Sequence, residues 1–266
     1  MAAAQSWISG AEVILGSDTY TATQPYYWPK SGYLQVSAVY PASVNASVGD
    51  SGIKFTNYTV PAEAAAQEDL LFSDRGYNVV KTKTEEVTNP IPVVFNHALS
   101  AINFKVSAST GPNFILKSIT LKNIITTGNF DQGLTEENNQ VPAANVNSCW
   151  TYGDPVATGN YVAPLAVSFA TTKLSQNSVY VHNAAEESLN ESTLILLPQT
   201  LSNATVDIEY TLDGMNQTSS FDLTGSWLRG HRYTYSINFG AEVIEFTATA
   251  NAWADGSATP PTTTIQ

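Results

Sequence analysis

Cysteine is all but missing from this chain: Cys149 is the single thiol in 266 residues. One thiol closes no intramolecular disulfide and cannot build a Cys-based zinc site, so the fold has to hold without either device. Beside Trp150, Cys149 reads as a small buried hydrophobe. Charge is sparse as well, with Asp, Glu, Lys and Arg at 13% of the chain against about 25% in ordinary globular domains. The polar surface must therefore come from Ser, Thr, Asn and Gln, a composition met in secreted and cell-surface β proteins. Basic residues are scarcest: 11 Lys and Arg face 23 Asp and Glu, for a formal charge of −12. They are scattered and form no stripe, so nucleic acid and anionic membrane surfaces, which would repel the chain, are not expected as partners. No apolar run approaches the roughly 20 residues that cross a bilayer as a helix.

Catalytic signals are equally thin. The three histidines, His97, His182 and His231, show no ligand spacing and no H-E-x-x-H pattern, so neither a metal nor a cofactor is expected. Gly214, Gly225 and Gly230 stand too far apart for a phosphate-binding loop and fall among hairpins rather than at a strand-to-helix turn. Nothing around Cys149 matches a cysteine protease. Glu85-Glu86, Glu136-Glu137 and Glu186-Glu187 are adjacent acids, whereas paired catalytic carboxylates meet in space from separate strands. They read as solvated loop charge, and the chain reads as non-enzymatic.

What the sequence does have is strict alternation, the mark of a half-buried strand. Val206, Ile208 and Tyr210 oppose Asp207, Glu209 and Thr211. Tyr233, Tyr235, Ile237 and Phe239 oppose Arg232, Thr234, Ser236 and Asn238, and Ile244, Phe246, Ala248 and Ala250 continue the pattern. Between the first two runs Leu212-Asp213-Gly214 tolerates positive φ and predicts a hairpin turn. Residues 10–16, 33–40 and 102–106 are further strands, and residues 53–60 alternate with mixed faces. In 114–125 the apolar face switches between Leu121 and Ile124, which predicts a bulge or bend. Pro198 in LILLPQ marks a strand end. Pro61 at the head of an Ala-rich stretch suits one short helix, with its acidic residues at the wrong end for the helix dipole. Residues 81–92, polar and twice interrupted by proline, read as a connector, and 131–150 as a long loop.

These signals make the chain all-β, and its length suits two domains better than one. The expected layout is an N-terminal β-sandwich over residues 1–88, a C-terminal β-sandwich over 89–256 and a Thr/Pro-rich tail over 257–266.

Four segments, in order, resemble the fimbrillin-like proteins of Bacteroidetes. They are Tyr27-Trp-Pro with residues 33–41 (YLQVSAVYP), Asp69-Leu-Leu-Phe followed by residues 95–104 (FNHALSAINF), Leu196-Leu-Pro-Gln, and residues 227–237 (WLRGHRYTYSI) with a closing Trp253. Each is weak alone, and the shared order carries the likeness. The resemblance implies two transthyretin-like sandwiches in tandem and a surface pilus subunit or tip adhesin that joins other subunits by strand exchange. It also implies export to the cell surface and outer-membrane anchoring through a lipidated cysteine. Cys149 lies mid-chain and MAAAQSWISG is no export signal, so both signals are expected in sequence ahead of Met1.

Candidate site residues follow from either reading. Tyr26, Tyr27 and Trp28 offer flat aromatic faces for a glycan or a host protein, or else anchor the first core. Arg75 is the one arginine of the first half, where maturation of some family members by cleavage would fall, and it also reads as an ordinary exposed loop residue. His97 sits just ahead of an alternating strand, where its ring could bond a neighbouring backbone and fix an interdomain corner. Trp253 is expected to cap the second core. Pro260 and Pro261 argue against the tail as a donated strand. The alternative function is a stand-alone surface binding module that does not polymerise.

Overall fold

A computed structural model of the chain describes residues 11–15, 20–24, 33–49, 52–73, 79–81, 93–108, 114–135, 149–165, 179–180, 193–239, 244–253 and 263–265. The described residues are all-β. The first part supplies β1 (Val13–Leu15), β2 (Tyr20–Ala22), β3 (Tyr33–Gln35), β4 (Val39–Tyr40), β5 (Ala46–Gly49), β6 (Gly52–Thr59), β7 (Leu71–Ser73) and β8 (Val79–Lys81). The middle adds β9 (Phe95–His97), β10 (Ser100–Ala108), β11 (Phe114–Ile125), β12 (Thr127–Asp131), β13 (Trp150–Thr151), β14 (Thr158–Val162) and β15 (Val179–Tyr180). The last part contributes β16 (Leu194–Leu196), β17 (Gln199–Thr200), β18 (Thr205–Leu212), β19 (Met215–Asp222), β20 (Ser226–Trp227), β21 (His231–Phe239), β22 (Ile244–Ala252) and β23 (Thr263–Ile265).

Two larger sheets face each other through aromatic rings. One runs β15-β10-β21-β22-β23, with β16 also on β10, and the other runs β14-β11-β18-β19. Phe239 of β21 meets Phe114 of β11 at 3.9 Å and Tyr210 of β18 at 5.2 Å, while Phe246 of β22 stacks on Phe221 of β19 at 5.1 Å. The alternation read from the sequence is the cause: Val206, Ile208, Tyr210, Tyr233, Tyr235, Ile237 and Phe239 are all buried. The hairpin falls where expected, with Leu212 paired to Met215 across Asp213 and Gly214. The face switch in β11 is a register shift between Leu121 and Ile124 against β14, and Asn123 there takes φ 57. Most pairings are antiparallel, but β10 runs parallel to β21 from Ala101↔Arg232 to Ala108↔Phe239.

A third sheet, β13-β12-β6-β5, draws on chain from both sides of residue 88, and a smaller one, β4-β7-β9, faces it. Phe130 of β12 joins them, 5.2 Å from Phe55 and 4.8 Å from Phe72. Ile53 and Phe55 are buried, which settles the mixed faces of residues 53–60 as core side and wet side up to Asn57, whose φ of 52 breaks the alternation. The Ala-rich stretch folds only as a 3-10 turn, Ala64–Ala66. Glu68 and Asp69 follow it where the carbonyl ends would repel them, so a longer helix gains nothing.

Two buried amides brace the sheets. Gln132 accepts from the Ile53 N–H at 3.0 Å and donates to the Ser73 carbonyl at 3.0 Å. Gln199 accepts from the Ile125 N–H at 2.8 Å and donates to the Leu197 carbonyl at 3.0 Å. Pro198 lies between β16 and β17, at a strand end, as its missing N–H requires.

Candidate functional site

Two of the four segments that the sequence singles out, residues 69–72 with 95–104 and residues 227–237 with Trp253, meet at one corner, built around residues 97–100. Ala98 donates its N–H to the Leu70 carbonyl at 2.8 Å, and its own carbonyl accepts from the Trp150 indole at 2.9 Å. The Leu99 carbonyl accepts from the Gly230 N–H at 2.8 Å, and the Ser100 hydroxyl donates to the Leu228 carbonyl at 3.0 Å. Trp253 closes the corner: its N–H donates to the Gly230 carbonyl at 2.7 Å, and its ring stacks on His97 with centroids 4.0 Å apart and planes 7° from parallel. His97 pairs through Nδ1 with Asp69 Oδ2 at 2.7 Å rather than with a backbone group. Asp69 Oδ1 and Trp253 Nε1 are buried without a hydrogen-bond partner among the described residues.

Beside the corner, the buried Arg229 guanidinium lies 5.3 Å from the Phe72 ring. Burial pulls its pKa below the ordinary value, and a hydrogen bond to the Cys149 side chain works against that shift. Cys149 is fully buried, as read from the sequence. The corner therefore joins elements of the fold.

Openings lie elsewhere. A cleft of about 280 Å³ sits over the end of β6, lined among others by Val44, Asn45, Phe55, Asn57, Tyr58 and Glu68. Burial, followed by the carboxylates of Glu68 and Asp69, pushes the Tyr58 phenol up to about 12. At neutral pH it stays a hydroxyl, so the cleft presents amides, hydroxyls and one acid above an aromatic floor.

Sheet edges are the other exposed features. β5, β13, β14 and β19 each have a strand neighbour on one side only among the described residues. The edge of β22 is partly covered by β23, with Ala248↔Ile265, Thr249↔Thr264 and Ala250↔Thr263 in register. The tail thus forms a strand on its own chain, because Pro260 and Pro261 precede the paired residues and leave their N–H groups intact.

Of the residues nominated from sequence, Tyr26, Tyr27, Trp28 and Arg75 lie outside the described residues, as do His182 and the three acidic pairs. Trp253 is buried where a cap was expected. The cleft was not foreseen; the one signal for it is the break in alternation at Asn57. Among the described residues no group of His, Cys, Asp and Glu is placed to hold a metal ion, and no helix is long and apolar enough to cross a membrane.

Comparison with known proteins follows the same lines. A family model described as fimbrillin-like matches residues 2–253. No curated protein matches the chain. Among solved structures, a fimbrial protein from Bacteroides vulgatus is similar at a TM-score of 0.61 and 14% identity, over 92% of this chain and 85% of that one. A proposed cell adhesion protein from Bacteroides uniformis gives 0.53 and 18%, over 88% and 80%. Another from Bacteroides ovatus gives 0.50 and 17%, over 90% and 76%. At such identities the structural likeness establishes the fold alone.

Proposed function

The chain belongs to the fimbrillin-like family, and from that premise we propose that it is a non-enzymatic subunit of a surface fimbria, in the stalk or as a tip adhesin, which joins its neighbours by exchange of a β-strand. Two sandwiches of transthyretin type carry it, divided near residue 88, with residues 127–131 and 150–151 lending strands to the first. Its place is the exported cell surface, with anchoring to the outer membrane supplied by a lipid on sequence ahead of Met1.

The pairing of β23 carries the exchange reading. Three residues of the tail cover a nine-residue strand, so Ile244 to Thr247 of β22 keep an open side among the described residues. A strand held by so short a ladder gains little from its own chain and loses little on moving to the same edge of another. The experiment is polymer formation by the full chain and by a chain ending at Trp253. The full chain should give a ladder of multiples on mild gel electrophoresis and the truncated chain none; ladders of equal length from both would contradict the proposal.

A second reading, a stand-alone surface module for glycans or host protein, draws on the Tyr58 cleft and on Tyr26, Tyr27 and Trp28. Glycan binding by a folded, strictly monomeric chain, lost in Trp28→Ala or Tyr58→Ala, would favour it.

A further inference from the structure

The longest edge among the described strands is β19, eight residues from Met215 to Asp222 on the outside of β14-β11-β18-β19. Nearly all of it is exposed to solvent. It carries no proline, lysine or arginine, and its ladder with β18 runs without a bulge from Leu212↔Met215 to Thr205↔Asp222. Those are the devices that normally blunt an edge.

Backbone geometry says what such an edge accepts. Asp213 and Gly214 have φ of 49 and 81, a two-residue turn with both φ positive. A turn of this kind closes on a hydrogen-bonded pair, here Leu212 and Met215. Doubly bonded pairs then alternate along the hairpin, on Met215, Gln217, Ser219 and Phe221. The N–H and C=O groups of Asn216, Thr218 and Ser220 consequently point away from β18. That row is a template for an extended strand.

Side chains select which strand. Met215 and Phe221 stand on the face turned to the opposite sheet, since their cross-strand partners are Leu212 and Val206. Phe221 already stacks on Phe246, while Met215 is 65% exposed. Lay a second β19 antiparallel about a two-fold axis through Thr218, and Met215 falls opposite the partner's Phe221, twice by symmetry. Thr218 then faces the partner's Thr218, and Asn216 faces the partner's Ser220. A shift of two residues in either direction sets Met215 against the partner's Ser219 or the partner's Leu223 and breaks the two thioether–aromatic pairs. A parallel arrangement would place Asp222 beside the partner's Asp222.

We propose that β19 is a self-association edge, by which two copies of the chain pair β19 to β19 antiparallel about Thr218, fuse their sheets into one and cover each Met215 with the partner's Phe221. The contact is isologous and closes at two copies, unlike strand exchange, which propagates. It is smaller than the roughly 1,200 Å² of a stable dimer, so the pair is weak. At each end Asp222 approaches the partner's turn at Asp213, so added salt tightens the association.

The test is sedimentation of the full chain up to ~1 mM, where an interface of this size populates. Expected is a reversible pairing that strengthens with salt and is retained by the chain ending at Trp253, which lacks the exchanging strand, so that it is read apart from the ladder of strand exchange. Thr218→Glu and Thr218→Lys, both at an exposed position and checked for unchanged melting, should each weaken dimerisation at low salt more than tenfold, because each sets like charges directly opposite. An equimolar mixture of the two should recover it. A wild-type chain that stays monomeric overturns the proposal, as does association unchanged in both variants or a mixture that dimerises no better than either alone.

Discussion

His97 lies flat on Trp253, centroids 4.0 Å apart, while its Nδ1 holds Asp69 Oδ2 at 2.7 Å. One imidazole therefore ties the end of the Asp69-Leu-Leu-Phe segment to the closing tryptophan. His97→Ala removes the stack and leaves the Asp69 carboxylate with neither oxygen bonded to a described partner, a loss of about 2 to 4 kcal/mol. Thermal melting should fall by several degrees. His97→Phe keeps the stack and should recover only part of the loss. An unchanged melting temperature in the alanine variant would remove the corner from the account.

Gln199 explains its own place in the LLPQ segment. Its amide serves Ile125 on one side and Leu197 on the other. Gln199→Leu keeps the volume and strands both backbone groups, so urea unfolding should show a loss of about 1 to 3 kcal/mol.

The turn at Gly214 provides a paired control. Gly214 has φ +81 and open space around its Cα, so only backbone strain opposes a side chain there. Gly214→Ala should cost about 1 to 2 kcal/mol. Gly49, with no neighbour within 4 Å and no positive φ, should accept alanine without loss. Equal effects at the two sites would count against the turn geometry.

Alkaline titration reads the buried phenols. Burial is the leading cause that pushes Tyr58, Tyr161 and Tyr233 from 10.0 up to about 12, so the neutral form is favoured in the folded state. Their contribution is fully present below pH 10 and is lost as pH rises through about 12. Absorbance of tyrosinate should show these rings still protonated near pH 11 in folded protein, and stability falling across that window. Titration of all tyrosines together near pH 10 with the fold intact would contradict it.

Local features were legible in the sequence because they are set by neighbours along the chain. Alternation placed β18, β21 and β22, Asp213-Gly214 placed the hairpin, and the three-residue spacing from Leu121 to Ile124 placed the bulge. Long-range relations were not. Nothing in a single sequence says that β10 lies parallel to β21, that His97 stacks on Trp253, or that Arg229 lies over Phe72, because those choices are made by tertiary packing. The family-like segments are largely architecture: residues 69–72, 95–104 and 227–237 converge on the corner. The strand at Thr263–Ile265 was not read from the sequence, because Pro260 and Pro261 drew attention to the part of the tail that does not pair.

Strand exchange itself is tested most directly at Thr249 and Thr264, which face each other in the β22–β23 ladder, at a separation a disulfide can bridge. The double variant Thr249→Cys/Thr264→Cys should close within one chain when monomeric. Chains carrying Thr249→Cys alone, mixed with chains carrying Thr264→Cys alone and oxidised, should accumulate a covalent heterodimer, because each tail can seat on its neighbour. If the double variant closes while the mixture yields no such heterodimer, the tail stays at home and the chain does not assemble by exchanging it.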